Sequence, residues 1–87
     1  MLNKITTNYY KVLELLYDNI IDVNKEQVSI ITQLEVAEQL NLSKITVNSI
    51  FKELKKDGML VDRSTVGRYF LTDNAKKIVK TIKTLIL

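Results

Sequence analysis

The stretch from Thr32 to Gly58, TQLEVAEQLNLSKITVNSIFKELKKDG, constrains the chain most, because it carries start and stop signals for two helices with almost nothing between them. Thr32 followed three residues later by Glu35 forms a capping box, in which each side chain satisfies a backbone N–H that the first helical turn leaves without a partner. Ile31 and Val36 sit at the spacing of a hydrophobic staple, and Val36, Ala37 and Leu40 make one apolar face, with Ala37 small enough for a second helix to approach. Asn41 suits the turn, since after glycine asparagine best tolerates a left-handed backbone. Ser43 is a second N-cap between Leu42 and Val47, and Val47, Ile50, Phe51 and Leu54 then recur at i, i+3, i+4 and i+7 as a buried stripe. Lys55 and Lys56 suit the negative end of the helix dipole, and Gly58 closes the helix with Leu54 and Met59 spaced for the apolar contact of a Schellman cap. The spacing predicts helices over 32–40 and 43–57 meeting across a tight turn.

Size and composition limit what such a pair can serve. An 87-residue chain is expected to be one domain over 1–87, with a single modest core and no room for a separate sensor domain. Cysteine and histidine are both absent, so there is no thiol nucleophile, no disulfide framework, no usual general base and none of the commonest metal ligand. The ten carboxylates are scattered, no nucleophile has a base beside it and no glycine-rich phosphate loop exists, so the sequence reads as a binder and not an enzyme, with no cofactor and no metal. No apolar run reaches the roughly 20 residues that cross a bilayer, and the N-terminus lacks a continuous apolar signal segment, which predicts a cytoplasmic location and no membrane partner. Net charge is +3, but residues 1–42 hold three lysines and six acids, whereas residues 43–87 hold ten Lys/Arg and four acids. The basic half begins with the second helix of the pair, the polarity that suits a polyanion.

Elsewhere the pattern predicts an α+β, mostly helical chain. Tyr9, Val12, Leu13, Leu16, Ile20 and Ile21 fall on one side of a helix expected over 7–22, as packing residues. A polar connector over 22–27 leads to a short β-branched strand over 28–31. MLVDR and RYFLT, separated by STVG with Gly67 available for a left-handed turn, predict a hairpin over 59–72, with the earlier strand at its edge. Arg63 and Arg68, the only arginines, then face each other near the hairpin tip, an arrangement of like charges that makes sense if the tip meets phosphate. Thr72 caps a last helix over 73–86, with Ala75, Ile78, Val79, Ile82, Leu85 and Ile86 on one face and Lys76, Lys77, Lys80 and Lys83 on the other. That apolar face predicts packing against the first helix and a homodimer contact through Ile78, Val79, Ile82, Leu85 and Ile86.

The order helix, strand, helix, helix, hairpin, helix resembles the winged helix-turn-helix domain of bacterial regulators of the GntR, MarR and Crp types. Thr32, Val36, Ala37, Leu40, Leu42, Ser43, Thr46, Val47, Ile50 and Leu54 carry the resemblance, with the runs LKKDGML and LTDNAKK. It implies a winged-helix fold, double-stranded DNA as partner, a second helix that enters the major groove, and a hairpin wing on the backbone or minor groove. The base-facing positions it implies are Lys44, Ile45, Thr46, Asn48 and Ser49; the helical wheel itself puts Ile45, Ser49, Lys52 and Lys56 opposite the buried stripe, with Thr46 and Asn48 flanking. Phosphate contacts are expected from Ser43, Lys52, Lys56, Arg63 and Arg68. Ile45 and Ser49 stand where many such proteins carry charge, which favours A·T-containing sites through hydrogen bonds and a thymine methyl contact. The function expected is a small dimeric regulator of transcription without an effector domain. A replication or copy-control protein of a plasmid or phage, or a winged helix that binds protein, are the alternatives.

Overall fold

The computed structural model describes residues 7–62 and 68–86. Arg63 and the STVG loop therefore lie outside the described residues, as do the side chains of Asp62 and Ile86. In order the elements are α1 (Asn8–Asp18), β1 (Ile20–Val23), β2 (Glu26–Ser29), α2 (Gln33–Leu40), α3 (Lys44–Lys56), β3 (Leu60–Asp62), β4 (Tyr69–Leu71) and α4 (Asp73–Ile86). This is an α+β, mostly helical arrangement in which helices cover one face of a small sheet.

Local chemistry explains the central pair. Thr32 Oγ1 accepts the Glu35 N–H at 3.1 Å while the Glu35 carboxylate accepts the Thr32 N–H at 3.0 Å, which closes the capping box. Asn41 is left-handed at φ 55°, and the Leu42 N–H reaches back to the Ala37 carbonyl at 2.9 Å. Ser43 Oγ accepts the Thr46 N–H at 3.1 Å to start α3. Gly58, at φ 72°, ends it: its N–H bonds the Lys55 carbonyl at 3.1 Å and the Met59 N–H bonds the Leu54 carbonyl at 2.9 Å, the two bonds of a Schellman cap.

The first helix is shorter than its periodicity suggests. It ends at Asp18 and not at residue 22, because Asn19 turns its side-chain amide onto the Leu15 carbonyl at 2.8 Å and the chain leaves the helix there. Ile20 and Ile21, expected on the helical face, open β1 instead. The expected polar connector is a hairpin, turned by Asn24 and Lys25 at φ 49° and 70°, the double left-handed geometry of a two-residue loop. The second strand correspondingly occupies Glu26–Ser29 and not 28–31, and Ile31 is a core residue just before the cap.

The sheet runs β1-β2-β4-β3, antiparallel throughout. Ser29 pairs with Tyr69, and Leu60 with Leu71. These residues face inward, toward a core whose fully buried members include Leu13, Leu16, Val36, Val47, Phe51, Leu54 and Val79. Ser29 is the polar exception; its hydroxyl donates to the Leu16 carbonyl at 2.7 Å, so burial leaves no group unsatisfied and β2 is pinned to α1.

Two contacts tie the periphery together. Tyr9 donates to the Asp57 carboxylate at 2.7 Å, fastening α1 to the end of α3, and burial together with that bond holds its phenol well above the usual range. Lys83 reaches Asp18 at 2.9 Å and Glu14 at 3.9 Å, which seats α4 along α1; the bond to Asp18 raises its ammonium pKa.

Candidate nucleic-acid interface

One side of α3 is spent on the core and the other is bare. Val47, Ile50, Phe51 and Leu54 are buried, whereas Lys44, Ile45, Thr46, Asn48, Ser49, Lys52 and Lys56 are all exposed, Ile45 at 81 %. Every base-facing candidate thus lies on the free side of one rigid helix. Its first turn is held by Ser43, whose hydroxyl also donates to Thr46 Oγ1 at 2.8 Å. Both functions of the Ser43 hydroxyl are therefore used inside the chain. An anion near this terminus would meet the backbone N–H groups of Lys44 and Ile45, which have no acceptor among the described residues, and the Lys44 ammonium.

The wing is braced on the same helix. Tyr69 sets its ring edge-on against Phe51, with centroids 5.0 Å apart and planes at 73°, so β4 is fixed directly to α3. Arg68, exposed, comes one residue before β4 on the sheet face opposite Tyr69. Thr72 locks the root: its hydroxyl donates to the Gly58 carbonyl at 2.8 Å and accepts the Ala75 N–H at 3.2 Å, joining the exit of α3 to the start of α4.

The last helix corrects part of the expected dimer contact. Val79 is fully buried within its own chain, Ile82 is partly buried against the same core, and Leu85 is 79 % exposed. Val79 is thereby unavailable to another chain. The apolar face is wide enough to have two sides, and Ala75 and Val79 sit on the inner one. Two of the four lysines on the polar side are also engaged, Lys83 with Asp18 and Lys76 with the Gln27 amide oxygen at 2.7 Å. No group of three or more acidic, cysteine or histidine side chains is placed to hold a metal among the described residues, and none of their helices is long and apolar enough to cross a membrane.

A helix pair with this turn, an exposed second helix and a hairpin braced upon it define a winged helix-turn-helix domain, and residues 29–61 match the family described as winged helix-turn-helix DNA-binding. The fold is that of a winged helix-turn-helix domain, and it is shared with transcriptional regulators of the CRP family. An apo-form mutant of ZitR from Lactococcus lactis superposes with a TM-score of 0.70 at 24 % identity, over 95 % of this chain and 59 % of its own. HlyU from Vibrio cholerae gives 0.69 at 19 % identity, over 97 % of this chain and 85 % of its own. TTHB099, a transcriptional regulator of the CRP family from Thermus thermophilus, gives 0.66 at 12 % identity, over 86 % of this chain and 39 % of its own. The chain spans 59 % and 51 % of the two ZitR structures it matches. No curated protein is significantly similar to it.

Proposed function

We propose that this domain binds double-stranded DNA by sequence and regulates transcription, with α3 as the helix that enters the major groove. The observation that carries this reading is the free side of α3, where Lys44, Ile45, Thr46, Asn48 and Ser49 stand exposed on a helix capped at both ends and packed to the core along its other side. Asn48 is the bidentate reader of adenine in this set, Ile45 meets a thymine methyl, and Thr46, whose oxygen already accepts from Ser43, offers its own proton outward. Lys52, Lys56 and Arg68 supply phosphate contacts, Arg63, outside the described residues, is assigned the same role on its charge alone, and the first-turn N–H groups add an uncharged contact where the Ser43 side chain is occupied. Two copies joined through Ile78, Ile82 and Leu85 of α4 would present two recognition helices to an inverted repeat in the cytoplasm.

The two kinds of residue are separated by salt. Arg68→Ala should weaken binding about equally on all duplexes and flatten the dependence of log affinity on log salt by roughly one unit. Asn48→Ala should relax base preference with little change in slope. Both are read by fluorescence anisotropy on matched and scrambled duplexes, and identical behaviour of the two variants would overturn the assignment of helix and wing. The exposure of Ile45 favours one second reading, a winged helix that docks on protein, for which neither variant would find a duplex to lose.

A further inference from the structure

On the flank of α4 turned away from Ile78 and Leu85, a slot separates that helix from the corner where α1 passes into β1 and β2. It has a volume of about 480 Å³, within the range of small-molecule sites. Tyr17, Ile20 and Gln27 line one wall, and Asp73, Lys76, Lys77 and Lys80 line the other. Polar bonds tie the walls together at both ends. Lys76 donates to the Gln27 amide oxygen at 2.7 Å, and two turns further along α4 Lys83 reaches Asp18 at 2.9 Å. Lys80 stands between them on the same side of the helix, four residues from one and three from the other, the spacing at which like charges repel. Lys76 and Lys83 each meet an acceptor on the facing wall, whereas Lys80 and Lys77 have none among the described residues.

What the facing wall offers the middle of the slot is more donors. The Tyr17 hydroxyl donates to no group among the described residues, and because Lys76 takes the Gln27 amide oxygen, the Gln27 amide N–H groups are left without an acceptor there. Three elements, α1, β2 and α4, thus bring a phenol, an amide and two ammonium groups to one cavity with nothing to accept from them. Charge points the same way, since three lysines against the single Asp73 leave an excess of two positive charges in the lining. We propose that the slot binds a small phosphomonoester that carries a flat ring. The two negative charges of the phosphate match the excess, its three terminal oxygens accept from Lys77, Lys80 and Gln27, and the ring lies on Tyr17 and Ile20. A carboxylate would bring half the charge and one acceptor oxygen fewer. None of these residues is assigned to the duplex, so the site stands apart from the nucleic-acid interface.

Titration of the full chain with phenyl phosphate, without DNA, tests the proposal through the backbone amide NMR spectrum. Saturable shifts are expected at Tyr17, Ile20, Gln27, Lys77 and Lys80, with a Kd of about 1 mM, the strength that an open site gives a ligand of so few atoms. Inorganic phosphate and phenol, which each keep one half of the probe, should bind about fivefold more weakly or worse. Lys80→Gln should weaken phenyl phosphate about tenfold, the loss of one charge-assisted hydrogen bond. Tyr17→Leu, which keeps apolar bulk but removes ring and hydroxyl, should weaken it about fivefold. Lys11→Gln, at an exposed position elsewhere on α1, should change nothing. The proposal is overturned by the absence of saturable shifts up to about 20 mM, by inorganic phosphate binding as tightly as phenyl phosphate, or by a Lys80→Gln variant that binds as the parent does. Retention on phosphatidate vesicles without binding of phenyl phosphate overturns it as well, in favour of a lipid surface.

Discussion

Thr72 is the residue whose loss should be felt furthest from its own position. Its hydroxyl takes the Ala75 N–H at 3.2 Å and gives its proton to the Gly58 carbonyl at 2.8 Å, so one oxygen caps α4 and closes the turn that ends α3. Thr72→Val keeps the shape and removes both bonds. Losing an N-cap costs about 1 kcal/mol, and a neutral hydrogen bond to a carbonyl that then lacks its partner costs about 1 kcal/mol more. The sum, about 2 kcal/mol, corresponds to a fall in Tm of roughly 8–16 °C for a domain of this size. Thr72→Ser keeps both bonds and should lose less than about 0.5 kcal/mol. Urea denaturation followed by circular dichroism gives the free energies, and a thermal scan gives Tm. A valine variant within about 0.5 kcal/mol of the parent, or a serine variant that falls as far as the valine one, would refute the reasoning.

Two further outcomes follow from particular side chains. Asn41 sits at φ 55°, so Asn41→Gly should leave stability within about 0.5 kcal/mol while Asn41→Ala costs about 1 kcal/mol, measured by the same urea titration. Burial, and then the bond to Glu14 at 3.1 Å, push the Tyr10 phenol from 10.0 to about 12. Because the folded chain holds that proton more tightly than the unfolded one, the contribution is complete below pH 10 and is lost as pH rises from 10.0 to about 12. Tyr10→Phe should therefore flatten the alkaline fall in unfolding free energy between pH 9 and 12, and an unchanged slope would contradict the assignment.

The parts of the fold that could be read from sequence are those whose signals are local. Thr32 with Glu35, Ser43, Asn41 and Gly58 each act on backbone groups within a few residues, so the helix pair and its exposed side follow from the order of the letters. The first hairpin was hidden because Ile20 and Ile21 continue a helical stripe without a break in period. The stop signal was Asn19, whose amide competes for the Leu15 carbonyl, and the turn at Asn24 and Lys25 lacks the glycine that usually marks double left-handed geometry. On α4 the hydrophobic period shows that a face is apolar and not which half of it meets its own core. Val79 shows the difference: its period fits either half, and it is buried in its own core.

The most direct test of the central claim is selection of the protein against a randomised duplex pool at low and moderate salt, followed by sequencing. Enrichment of an inverted repeat with half-sites about one helical turn apart, A·T pairs among the preferred positions, is the result this account predicts. No retention of duplex at either salt would contradict it and leave α3 as a surface for protein.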